Sequence, residues 1–138
     1  MIILDTNVLS ELVRPSPNAV VSGWVKGCAS SSLFTTSITQ AEMLLGVEIL
    51  PSGKRRDVLE QRVRMMFDQD FAGHILPFDS DAAIAFAHIA ALRRRSGRAQ
   101  SNFDTQVAAI ALSRGAAVAT RNASDFEGCG ITVHDPWT

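Results

Sequence analysis

Four short polar segments constrain this chain more than any other feature of it: Asp5-Thr6-Asn7, Thr39-Gln40-Ala41-Glu42, Ser101-Asn102-Phe103-Asp104 and Asn122-Ala123-Ser124-Asp125. Each places a carboxylate, or an Asn where one would be expected, at a junction between a strand and a helix. Strands and helices that alternate along a chain pack as a parallel sheet covered by helices, and the strand-to-helix junctions of such a sheet share one edge. Groups remote in sequence are thereby delivered to a single acidic pocket. Such a pocket calls for a cation.

The alternation is read from periodicity. Ile2 to Leu4 is a short buried strand, and Asn7 to Val13 a helix stopped ahead of Pro15 and Pro17. A helix over Asn18 to Lys26 precedes a Thr-rich strand, Leu33 to Ile38, and a helix from Gln40 to Leu50 that Pro51 ends. Lys54 to Asp70 carries Val58, Val63, Met66 and Phe67 at helical spacing and reads as one long amphipathic helix. Ile75 to Phe78 is a brief strand. Ser80 to Arg95 is an Ala-rich helix with Ile84, Ala87, His88 and Ala91 on one face. After a loop from Ser96 to Gln100, Asn102 to Arg114 forms a helix with Phe103, Val107, Ile110 and Ala111 as its core stripe. Ala116 to Thr120 and Ile131 to His134 complete the strands, with a turn near Asp125 between them. The expected fold is a three-layer α/β/α sandwich on a short, mostly parallel central sheet, with residues 1–138 as one domain.

Composition excludes several classes. The longest apolar stretch, Ala82 to Leu92, is broken by His88 and is far short of the roughly 20 residues of a membrane span. Met1 to Leu4 meets Asp5 at once and lacks a basic leader, so it reads as a strand and not a secretory signal, which places the protein in the cytoplasm. Cys28 and Cys129 have no metal-finger spacing and fit inert thiols in a reducing compartment. A net charge of −1 gives no global basic field, so contact with nucleic acid must come from local cations. These are Lys54-Arg55-Arg56, Arg93-Arg94-Arg95 with Arg98, and Arg121.

Each acid also has a structural reading. Thr39-x-x-Glu42 fits a capping box, Ser101-x-x-Asp104 and Asn122-x-x-Asp125 repeat the offset, and Asp5 suits an N-cap. The joint pattern points further. The partial positive charge of helix N-termini is expected to keep such carboxylates ionised and ready for a hard cation. Mg²⁺ takes oxygen ligands, usually one or two carboxylates together with water and substrate phosphate, and ions so held promote phosphodiester hydrolysis. His74, His88 and His134 lack zinc-ligand spacing.

At these residues the sequence resembles the PIN-domain family, and within it the VapC-like and FitB-like toxins of bacterial toxin–antitoxin pairs. The carriers are Ile-Ile-Leu-Asp5-Thr6-Asn7-Val-Leu-Ser10-Glu11, Ser37-Ile-Thr39-Gln-Ala-Glu42 with Gly46, Asp104-Thr-Gln-Val-Ala-Ala-Ile-Ala111, and Ala119-Thr120-Arg121-Asn122-Ala-Ser-Asp125-Phe126-Glu127 to Pro136-Trp137. Four segments in this order span essentially the whole chain. The resemblance implies a Mg²⁺- or Mn²⁺-dependent ribonuclease with Asp5, Glu42 and Asp104 as metal-binding acids and Thr6 orienting a ligand or water. The family's fourth acid falls at Asn122, which brings an amide oxygen without charge; Asp125, about one helical turn on, is a candidate substitute acting through water, with packing and capping as its other reading. Ser101-Asn102-Phe103 departs from the small residues and Pro usual in relatives before this acid. The resemblance further implies a VapB-like antitoxin whose C-terminal segment lies in an apolar groove and reaches the acids, DNA contact only through that antitoxin, and a homodimer.

The basic residues complete the reading. Arg121, beside the acidic edge, is the candidate phosphate clamp, since a guanidinium grips two phosphate oxygens at once. Arg94 and Arg98 share a helical face if the helix persists that far, and form a second candidate RNA contact. Two alternatives stand beside the nuclease: a phosphatase with Asp5 as nucleophile, disfavoured because Asn7 occupies the place of the second Asp, and a non-catalytic RNA- or antitoxin-binding module, made plausible by Asn122.

Overall fold

Five short strands form one sheet in which every pairing is parallel. The computed structural model describes residues 1–98 and 101–138, so the last two residues of the loop expected over Ser96 to Gln100 lie outside the described residues. Strands β1 (Ile2–Leu4), β2 (Leu33–Thr36), β3 (Ile75–Leu76), β4 (Ala117–Ala119) and β5 (Val133–His134) lie in the order β3-β2-β1-β4-β5. From β1 the chain steps outward to β2 and β3 on one side, then crosses to β4 and β5 on the other. Strand order therefore reverses between β1 and β4, and a sheet of this kind binds ligands in the crevice beyond the carboxyl ends of the strands at that point.

Alternation along the central strands divides the interior in two. Ile3 and Val118 face one core with Ala82, Ile89, Val107 and Ile110, beneath α5 (Ser80–Arg95) and α6 (Asn102–Arg114). Leu4 and Ala119 face the other with Val8, Val21, Val47 and Val63, beneath α1 (Thr6–Leu12), α2 (Ala19–Gly27), α3 (Ser37–Glu48) and α4 (Lys54–Met65). Successive strand residues point to opposite faces, so three-residue strands suffice to seed both layers. The architecture is the expected α/β/α sandwich.

Several local expectations are corrected. The strand at Leu33 ends at Thr36 and α3 begins at Ser37, because the Thr36 hydroxyl accepts from the Thr39 amide at 3.1 Å and so takes the N-cap. The expected Thr39–Glu42 capping box is thus replaced by a cap three residues earlier, and Glu42 moves inside the helix. The long helix from Lys54 loses its α geometry at Met66–Asp70, which winds as a wider π turn, and Val58 is exposed. On α5 the inward stripe is Ala82, Ile89 and Arg93, whereas Ile84, Ala87 and His88 face outward. Alanines surround this helix on all sides, so its sequence does not distinguish the two faces. Phe103 likewise sits outside the core stripe of α6, which Val107, Ile110 and Ala111 do form.

Candidate active site

Asp5 directly follows β1 and Thr120 directly follows β4, so the two sit side by side where the strand order reverses. The Asp5 amide extends the sheet by donating to Ala119 O at 3.0 Å. Its side chain caps neither the second nor the third amide of α1. Instead Oδ2 accepts from the Thr120 hydroxyl at 2.9 Å. That hydroxyl in turn accepts from Asn7 Nδ2 at 3.0 Å and from the Asn122 amide at 3.2 Å, while Asn7 Oδ1 accepts from the Arg121 amide at 3.1 Å. One donor and two acceptors fill the bonding capacity of the buried Thr120 side chain, and the β1 and β4 ends are locked together.

The other two acids arrive from the helices. Inside α3, Glu42 is half-buried and its Oε1 accepts from the Thr6 hydroxyl at 3.0 Å, which also lies 3.1 Å from Thr39 Oγ1. Asp104 stands in the first turn of α6, where the expected cap is present: the Ser101 hydroxyl accepts from the Asp104 amide at 3.1 Å. Asp5, Glu42 and Asp104 all line one open cleft of about 440 Å³, together with Arg14, Arg121 and Trp137.

Burial dominates the electrostatics of this cleft. Asp5 is raised from 3.8 to about 6, chiefly by desolvation, with the charges of Asp104 and Glu42 adding to it against the bonds from Thr6 and Thr120. Glu42 is raised by burial, which outweighs the Thr6 bond, and by repulsion from Asp104. Burial likewise raises Asp104, with Asp125 adding repulsion and the Ser101 bond and the Arg93 charge opposing. All three shifts run upward, against the direction that a helix N-terminus favours, because desolvation and mutual repulsion exceed the hydrogen bonds that the acids accept. Among the described residues no three His, Cys, Asp or Glu side chains already stand at coordinating distance. The donor set itself is oxygen, with no His or Cys lining the cleft, and suits a hard divalent cation.

The PIN domain model matches residues 2–127. This chain belongs to the PIN domain family. Within that family it is 38% identical over 137 residues to the VapC ribonuclease Y4jK of Sinorhizobium fredii, covering 99% of this chain and 98% of that one. It is 41% identical to the plasmid stability protein StbB of Pseudomonas syringae pv. tomato and 38% identical to the toxin FitB of Neisseria gonorrhoeae, each over 99% of both chains. The crystal structure of FitAcB from N. gonorrhoeae superposes with a TM-score of 0.92 at 38% identity, covering 99% of both chains. DNA-bound VapBC from Salmonella typhimurium reaches a TM-score of 0.79 at 27% identity, covering 98% of this chain and 97% of that one.

Other residues singled out in this PIN domain separate clearly. Thr6, Arg121 and Asn122 line the acid cleft, Asn122 being exposed at its mouth. Asp125 does not line it, and its charge is felt by Asp104. Arg94 and Arg98 are absent from the lining as well: α5 ends at Arg95, so Arg98 leaves the helical face and pairs with Glu127 at 3.5 Å. Sequence reasoning missed the roles of Thr120, Asn7 and Arg14. A hydroxyl at the end of a central strand, beside a carboxylate at the end of its neighbour, was a usable signal for Thr120. Arg14 had none, since the chain brings it to the cleft only by the turn after α1, where Glu11 accepts from its guanidinium at 3.2 Å and from the Asn18 amide at 3.0 Å.

Proposed function

We propose that this chain is the ribonuclease toxin of a toxin–antitoxin pair, and that it hydrolyses RNA phosphodiesters with Mg²⁺ or Mn²⁺ held by Asp5, Glu42 and Asp104. The observation that carries the reading is the convergence of three desolvated carboxylates from β1, α3 and α6 on one cleft. Apolar folds do not gather repelling acids for stability; a dication offsets the repulsion. When bound, it supplies the charge that keeps the acids ionised and polarises water and the scissile phosphate.

The chain's own groups do the positioning. Thr120 fixes one oxygen of Asp5, Thr6 holds Glu42, and Ser101 sets the turn that carries Asp104. Arg121 and Arg14 flank the acids and suit the phosphates on either side of the bond that breaks. Asn122, at the family's fourth acidic position, offers only a neutral oxygen, so a second ion there is held less tightly than the first. The test is direct: purified protein with Mg²⁺ or Mn²⁺ cleaves RNA, EDTA abolishes cleavage, and restored cation recovers it. Cleavage that persists in EDTA would refute the reading.

The relatives' solved complexes, FitAcB and DNA-bound VapBC, support an antitoxin as partner, with DNA reached through it. A groove of about 630 Å³ between the end of α1 and α4 fits its C-terminal segment. Val13, Pro15, Val58 and Leu59 give an apolar floor, Lys54, Arg55 and Arg62 a basic rim, and Ser10 and Arg14 are shared with the acid cleft. A segment lying there thus ends beside the acids. Val58 is 40% exposed, so Val58→Asp leaves the fold intact. It is expected to weaken the antitoxin complex at least about tenfold by calorimetry, with RNA cleavage by the free toxin unchanged. The outward face of α5, with Ile84 and Leu92 exposed, suits a homodimer contact. No helix among the described residues is long and apolar enough to cross a membrane, and the proposed site of action is the cytoplasm.

A further inference from the structure

We propose that Trp137, with the Arg121 guanidinium laid over it, is a stacking platform for one unpaired base of the RNA beside the acids. The inference rests on the ribonuclease reading and adds to it a residue that grips the substrate. Trp137 is the one aromatic side chain among the described residues lining the acid cleft. Its ring lies 5.1 Å from Arg121 Cζ, so the guanidinium cation sits over the indole beside Asp5 and Asn122.

Filling the interior accounts for only half of this arrangement. One side of the indole packs on the core beneath α1 to α4, yet the residue remains half-buried, and its free surface faces a cleft whose other walls are charged or polar. An indole facing such a cleft exposes apolar area beside ions, where a polar side chain would be better solvated. A nucleobase removes that penalty, because it stacks on aromatic and guanidinium planes while its sugar and phosphate stay in the polar part of the site. A base inside a duplex has both faces occupied by its neighbours and does not reach the platform.

The platform is also held still. The tail turns on Asp135, whose Oδ1 accepts from the Trp137 amide at 2.9 Å and whose carbonyl accepts from the Thr138 hydroxyl at 2.9 Å. Arg121 is tied through its amide to Asn7, the residue that also bonds Thr120 beneath Asp5. Base platform and acids thus share one frame.

Fluorescence tests this directly, since the chain has two tryptophans and Trp24→Phe leaves Trp137 as the sole emitter. In a Trp24→Phe, Asp5→Asn protein, a single-stranded RNA oligonucleotide is expected to quench the emission saturably, and the same strand annealed to its complement to bind at least about tenfold more weakly. Trp137→Ala in the otherwise unchanged protein should raise KM about tenfold with kcat little altered, and Trp137→Phe should recover most of the loss. Binding detected by anisotropy without quenching, or equal binding of duplex, overturns the platform. Because the ring also packs on the core, the titration with the indole in place decides the matter if Trp137→Ala fails to fold. Wild-type protein that cleaves no RNA in Mg²⁺ or Mn²⁺ defeats the ribonuclease reading itself, whereas cleavage without quenching defeats only the platform.

Discussion

Replacing Asp5 by Asn is expected to reduce RNA cleavage at least about 10³-fold while making the cation-free protein more stable. The two effects have one cause. Asp5 is buried among other acids, and its carboxyl is raised from 3.8 to about 6. Between those values the folded protein holds a proton that the unfolded chain has released. Stability conferred by that proton is full below about pH 4 and is lost as pH rises through about 6, amounting to about 3 kcal/mol for Asp5 alone. Asn keeps an oxygen to accept from Thr120 but cannot ionise, so Asp5→Asn should raise Tm at pH 8 by several degrees and flatten the fall in Tm between pH 4 and pH 7. Glu42 and Asp104 are shifted in the same direction, so the slope shrinks without vanishing. Thermal melts over pH, with and without EDTA, check it. A variant less stable than wild type at pH 8 would show that Asp5 is a structural anchor and not a strained ligand. Such a site is a local loss of stability retained for function.

How far the sequence foretold this arrangement depends on the range of the interactions involved. Asp5 and Asn122 were placed correctly because a carboxylate or amide just beyond a central apolar run has nowhere to go but the strand edge. Asp104 was placed by a local cap at Ser101, again an interaction within one turn. Glu42 lines the cleft from inside α3: its offset from Thr39 also suggested a capping box, but Thr36 takes the cap and leaves Glu42 to Thr6, 36 residues away. Contacts of that span leave no periodic trace. The same holds for Arg14, Trp137 and the bond from Thr120 to Asp5 across 115 residues. Helix faces failed where composition was uniform, as on the Ala-rich α5, because a hydrophobic stripe is legible only against a polar background. The buried Arg93 shows the limit most plainly. It read as part of a local basic run open to nucleic acid, yet it reaches inward to donate to Glu127 O and lies 3.6 Å from Cys129 Sγ.

Thr120→Val should be the most damaging conservative change in the chain. Valine matches threonine in shape, so the buried site stays filled, but three hydrogen bonds disappear together. The Asp5 carboxylate loses a charge-assisted donor, and Asn7 Nδ2 and the Asn122 amide lose their acceptor; the sum is about 3 kcal/mol at neutral pH. The loss is larger above pH 6 than below it, since the ionised form of Asp5 depends most on the donor. Removing a bond that lowers the Asp5 pKa raises that pKa further, so a cation must displace a proton over a wider range of pH. The acid limb of the pH–rate profile is accordingly expected to move up by about one pH unit, and loss of the bond that orients the carboxylate to lower cleavage at pH 7 about 10- to 100-fold further. Thr120→Ser, which keeps the hydroxyl, should hold both the limb and most of the rate. A Val variant with lowered Tm but an unshifted acid limb would mean that Thr120 only ties β4 to β1 and leaves the chemistry of Asp5 untouched.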